Sequence, residues 1–186
     1  MSFPDGYNCE LTLGEDNANN AQDTSLVVAN ENGSVLERLE YVQAMGKNIE
    51  TKVLTTIANG NTTVFNYTGS IKINSIIGRV TTVCEAKGTN TKLAIVSDAL
   101  TAVDICANVD LTGATVGTLL SITGTTANAM VASANGAIAP GQANPVVATC
   151  TTSGIIRHVS GAANTGAVTW YVDWEPLSEG ATLTAA

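Results

Sequence analysis

His158 is the only imidazole in the chain, and it lies between Arg157 and Val159 in a stretch that alternates like a strand. A Ser–His–Asp device would need a nucleophile and an orienting carboxylate around it, and no nucleophile-elbow sequence occurs. The expectation is a structural, hydrogen-bonding histidine. Asp104 with Asp110, and Asp173 with Glu175, come closest to the acid pairs of a glycosidase. Their spacing selects no reaction, because acids near strand ends are common. Glu15, Asp16, Asn17, Asn19, Asn20 and Asp23 have the oxygen-rich composition of a calcium loop. Ala18 stands where a ligand belongs and the closing Glu is missing, so a solvated loop without metal is expected. Cys9, Cys84, Cys106 and Cys150 contain no Cys-x-x-Cys pair, which removes zinc ribbons and dithiol redox motifs. They are expected as free thiols, at least three of them buried in strands as small apolar groups. Neither a phosphate-binding loop nor a dinucleotide fingerprint is present. No catalytic residue, cofactor or metal is expected, and the chain does not read as an enzyme.

Composition narrows the partners. With 186 residues the chain suits one full domain, and 45% apolar content supports a folded core. Only 13% of residues are charged, against a usual quarter. The balance is acidic, 16 Asp and Glu against 8 Lys and Arg, which argues against nucleic acid bound through its phosphates. Nine of those acids fall in residues 1–60, leaving the remainder nearly neutral and rich in Ala, Thr, Gly and Asn. That composition suits tight subunit packing better than a solitary solvated globule. No basic leader with an apolar core opens the chain, and no apolar run approaches a bilayer span. The expectation is a soluble chain made in the cytosol, with no membrane partner.

Three segments would position these residues. Residues 1–33 are polar and acidic, with apolar residues only in Leu11–Leu13 and Leu26–Val28, too few to fold alone. They are expected to form an attachment arm. Ser34 and Glu37 make a capping box opening a helix over 34–57. Within it Val35, Leu39, Val42, Gly46, Ile49 and Val53 follow one another at steps of four and three, a heptad seam. No second helix is expected to cover that seam, so the same helix from another copy is the favoured partner. The competing reading lays this helix on its own β domain. β-Branched seam positions lean towards three strands rather than two. From residue 62 the period drops to two. Strands are expected at 63–67, 70–82, 92–96, 103–106, 119–123, 146–150, 155–160 and 168–174, separated by Gly, Asn and Pro clusters. The fold class is mainly β: a short coiled-coil-like helix, then an antiparallel β-sandwich over 62–186, with a jelly roll among its possible forms. In the last long strand Trp170, Val172 and Trp174 share one face, a heavy anchor for the core, with a sugar-stacking platform as the lesser alternative.

Two stretches carry a resemblance. Gly33-Ser-Val-Leu-Glu-Arg-Leu-Glu-Tyr-Val-Gln43 resembles the short helix that precedes the β domain in small virion proteins of tailed bacteriophages. Asn164-Thr-Gly-Ala-Val-Thr-Trp-Tyr-Val-Asp-Trp-Glu-Pro-Leu-Ser-Glu-Gly-Ala181 is similar to the closing strand and Pro-Leu-x-x-Gly-Ala ending of that group. Ile73–Val83 and Thr91–Leu93 also fit its pattern, so the likeness covers most of residues 33–186 without any catalytic residue. It implies a homotrimeric structural protein on the capsid surface, a head fibre or a capsid decoration (cement) protein. Its partners would be itself and the major capsid protein or another virion protein, with synthesis in the host bacterial cytoplasm. A tail-fibre receptor- or glycan-binding module is the runner-up. A depolymerase domain comes third, and the chain lacks the long repeated coils that would favour it.

Overall fold

The computed structural model describes residues 48–85, 90–98 and 100–186. Among them the chain forms eleven strands: β1 (Asn48–Leu54), β2 (Gly60–Thr68), β3 (Ser70–Thr82), β4 (Lys92–Ser97), β5 (Leu100–Asp104) and β6 (Leu119–Ser121). Then come β7 (Val131–Ser133), β8 (Val146–Thr149), β9 (Gly154–Ser160), β10 (Ala167–Pro176) and β11 (Thr182–Ala185). One sheet runs β1-β10-β3-β6-β7, with β8 also pairing β3, and the other runs β11-β2-β9-β4-β5. All strand pairs are antiparallel. The chain therefore steps from one sheet to the other at most of its connections. A single hydrophobic core takes Ile71, Trp170 and Val172 from the first sheet and Phe65, Leu93 and Ile156 from the second.

Alternation builds this core, and bulges re-aim it. On β10, Val168, Trp170, Val172 and Trp174 are all buried, as period two requires. β3 buries Ile71 and Ile73, then Ile76 and Val80, an odd-to-even change of phase. The shift lies where Asp173 pairs Ser75 and Trp174 pairs Ile73, so Asn74 is the extra residue of a bulge. The same bulge divides the strand. Ser70–Ile73 pair β8, and Ile77–Arg79 pair β6. Gly78 sits opposite Trp170, and a Cβ there would come within 2.8 Å of the indole ring. The missing side chain is what lets the indole lie flat across β3.

The expected helix over 34–57 is corrected at its C-terminal end. Asn48–Leu54 form β1, in register with β10 from Asn48 opposite Trp174 to Leu54 opposite Val168. Ile49 and Val53 are four residues apart, a spacing that serves a strand of period two as well as a helix of period 3.6. The backbone edge of β10 supplies partners for a strand, and β-branched Ile49, Thr51 and Val53 suit it. The sheet domain accordingly begins at Asn48, ahead of the boundary expected at 62. Val35, Leu39 and Val42, the rest of the expected stem and the arm over 1–33 lie outside the described residues. The strand expected at 103–106 is displaced to Leu100–Asp104, because the chain bends at Ile105 to bond Leu93 O. β7 and β11 were invisible to alternation: each is short, and Leu183 is the only buried residue in β11.

Candidate interaction surface

Among the described residues, most titratable groups with a candidate role are engaged in packing or hydrogen bonds. His158 on β9 is 2% exposed and meets Trp170 edge-to-face across the sheets, with centroids 5.8 Å apart. Its Nε2 has no hydrogen-bond partner, and burial depresses its pKa to about 4. It is a neutral packing group, in place of the hydrogen-bonder expected from sequence. Asp104 pairs with Lys92 at 2.6 Å, and Asp110 accepts from Thr112 N at 2.8 Å; the Thr112 side chain first, then this backbone bond, hold its pKa low. Glu175 accepts from Asn74 at 2.8 Å and Lys72 at 3.2 Å, and these bonds, Asn74 first, lower its pKa. Asp173 and Glu175 share the outward face of β10, where Glu175 is tied to its β3 neighbours. Among the described residues no three His, Cys, Asp or Glu side chains gather as a metal site would need. Cys84, Cys106 and Cys150 are free and buried, and burial raises each thiol pKa. All three sit just beyond strand ends, where the chain turns back over the core.

The surface left for function is the outward face of the β1-containing sheet. Beyond an ion-paired row of Glu175, Lys72 and Val147, register places its side chains in three further rows. Ile49, Asp173 and Ser75 form one row. Thr51, Tyr171, Ile77, Ser121 and Val131 form the next. Val53, Thr169, Arg79, Leu119 and Ser133 form the third. Ile49 is 60% exposed, Val53 54% and Tyr171 37%, while Ile77, Leu119 and Val131 are half-buried. Only Asp173 and Arg79 bring charge to these rows. The opposite sheet presents Arg157, Lys92 and Asp104 outward, interspersed with Ile155, Val159, Ala94 and Val96. Contiguous exposed apolar area on one sheet face is the usual mark of an interaction site.

The residues expected to act separate accordingly. Ile49 and Val53, read as seam positions of a stem, lie exposed on this sheet face. Trp170, Val172 and Trp174 are buried in the core, so no sugar can stack on either indole. Tyr171, Ile77, Leu119 and Val131 were missed as a surface. Their common face follows from strand order, which neighbouring residues in sequence do not reveal; Tyr171 alone was legible, as the off-face aromatic of β10. No family model, curated protein or solved structure matches this chain.

Proposed function

We propose that the chain is a bacteriophage virion structural protein, a homotrimeric capsid decoration (cement) or head-fibre protein attached through its N-terminal arm. The observation that carries this reading is the nearly uncharged apolar face of Ile49, Val53, Tyr171, Ile77, Leu119 and Val131. Such a face is costly in water and is stabilised when copies pack on it, as obligate interfaces do over more than ~2,000 Å². β1 removes Ile49 and Val53 from the helical seam and leaves Val35, Leu39 and Val42, fewer than the three heptads a coiled coil wants. The sheet domain therefore carries most of the interface in this proposal. The order β1-β10-β3-β6 against β2-β9-β4-β5 supports reading the domain as a jelly roll, an architecture of viral capsid and lectin domains. Architecture alone does not assign a role, and the sequence resemblance supplies the virion context.

Full-length protein and a form lacking residues 1–30 would each be added to particles stripped of it, and imaged. The expected result is threefold density on the head with the full chain and none with the truncated one. Density at the tail tip would favour the receptor-binding alternative. Full occupancy by the truncated form would move the attachment surface into the β domain.

A further inference from the structure

A second feature, unrelated to the outer face, lies between the sheets at the side where β5 and β8 form their edges. A cavity of about 280 Å³ opens there. Ile95, Val103 and Ile105 wall it on one side, Val146 and Ala148 on the other, and Thr126 stands at the mouth with the exposed Val147. The bulge in β3 explains the opening, since β8 and β6 pair separate parts of that strand. Four lining residues carry hydroxyls, Tyr67, Ser97, Thr126 and Thr149, and two of these oxygens are themselves buried: Tyr67 Oη, on a residue 1% exposed, and Ser97 Oγ. Neither has a hydrogen-bond partner, although both atoms are buried.

Their convergence is a matter of register. Tyr67 on β2, Gly154 on β9 and Ser97 on β4 lie directly opposite one another on three neighbouring strands. Gly154 has no side chain, and a Cβ there would fall 2.1 Å from the Tyr67 ring and 2.5 Å from its hydroxyl. The phenol thus lies across β9 in the space a side chain would fill, reaching towards Ser97. Buried hydroxyls left unbonded cost free energy, and native proteins seldom keep two on one cavity without something to bond them. No charged side chain lines the cavity. The nearest carboxylate, Asp98, is engaged by Thr151 and Thr152. Burial foremost, then Cys150 and Asp98, push the Tyr67 pKa up to about 12, so the phenol stays neutral and able to donate. An anion would be repelled there, and a cation would find no counter-charge within the walls.

We propose that this cavity binds a small uncharged molecule with an apolar body and one hydroxyl or carbonyl, which bonds Tyr67 and Ser97. An engineered cavity of about 150 Å³ holds benzene, so the space here suits a substituted ring of roughly ten heavy atoms. The probes are 4-isopropylphenol and isopropylbenzene, which differ by the hydroxyl alone, titrated into full-length ¹⁵N-labelled protein. Saturable shifts are expected at Ser97, Thr126 and 146–149, with the phenol binding on the order of tenfold tighter, the worth of one or two net hydrogen bonds. Tyr67→Phe keeps the ring and should bring the two probes to within about twofold. Val103→Trp, at an exposed rim position, should abolish both titrations while leaving the rest of the spectrum in place. Non-saturating shifts, equal binding of the two probes by wild type, or binding that survives Val103→Trp would each overturn the proposal. The first outcome would leave the hydroxyls bridged by water alone.

Discussion

At the scale of single residues, His158 has the most to say. It is held between the sheets by Trp170, with Thr62 and Leu93 opposite it on the neighbouring strands. Its folded pKa of about 4 lies below the ordinary 6.5 because burial disfavours the imidazolium. Between those values the unfolded chain holds a proton that the folded chain does not. Stability from this group is therefore complete above about pH 6.5 and is lost as the pH falls towards 4, by on the order of 3 kcal/mol. Urea unfolding across that range should show the loss, and His158→Phe should flatten it. An imidazole titrating near 6.5 by NMR in the folded protein would rule the account out. Gly78 acts sterically. Gly78→Ala places a methyl 2.8 Å from the Trp170 ring, and is expected to cost about 1–3 kcal/mol, read from the urea midpoint.

Among the elements, the turn after β4 depends on one carboxylate. Asp98 accepts from Thr151 N at 3.1 Å, Thr151 Oγ1 at 2.5 Å and Thr152 N at 2.5 Å, tying the β4–β5 turn to the β8–β9 connection. Those bonds, the Thr151 hydroxyl first, bring its pKa to about 2 from 3.8. The contribution is present above about pH 3.8 and disappears as the pH falls through 2. Asp98→Ala should speed hydrogen exchange at the Thr151 and Thr152 amides at neutral pH and leave the β10 amides protected. Unchanged exchange at both threonines would show that the connection is held by other bonds, such as Asp98 N to Ser153 O. β1 is the other element with a consequence. It is an edge strand that turns Ile49 and Val53 outward on either side of Thr51, a combination that invites pairing or packing with another copy.

For the whole molecule, the proposed assembly predicts linkage between folding and association. The melting temperature of the full chain should rise with protein concentration over a hundredfold range, because subunits that associate only when folded shift the equilibrium by mass action. Ile49→Asp combined with Val53→Asp changes two exposed positions, so the monomer fold should survive while the oligomer weakens. Sedimentation would read a smaller species, and circular dichroism an unchanged sheet. A wild-type monomer at micromolar concentration, melting at one temperature throughout, would remove the trimer from consideration.

The antiparallel β character, the limits of β3 and the inward run Val168, Trp170, Val172, Trp174 could be read from the sequence. Each depends on local alternation, which a strand buried on one face imposes residue by residue. The fate of Asn48–Leu54 could not be read that way. Ile49 and Val53 satisfy both periods, and the unpaired edge of β10, more than a hundred residues away, decided between them. The outward row of Tyr171, Ile77 and Val131 is likewise a product of strand order, as is the meeting of Tyr67 and Ser97 over Gly154. Local sequence carries the period of a strand. Which strands become neighbours, and so which side chains share a face or a cavity, is settled only when the sheets close on their common core.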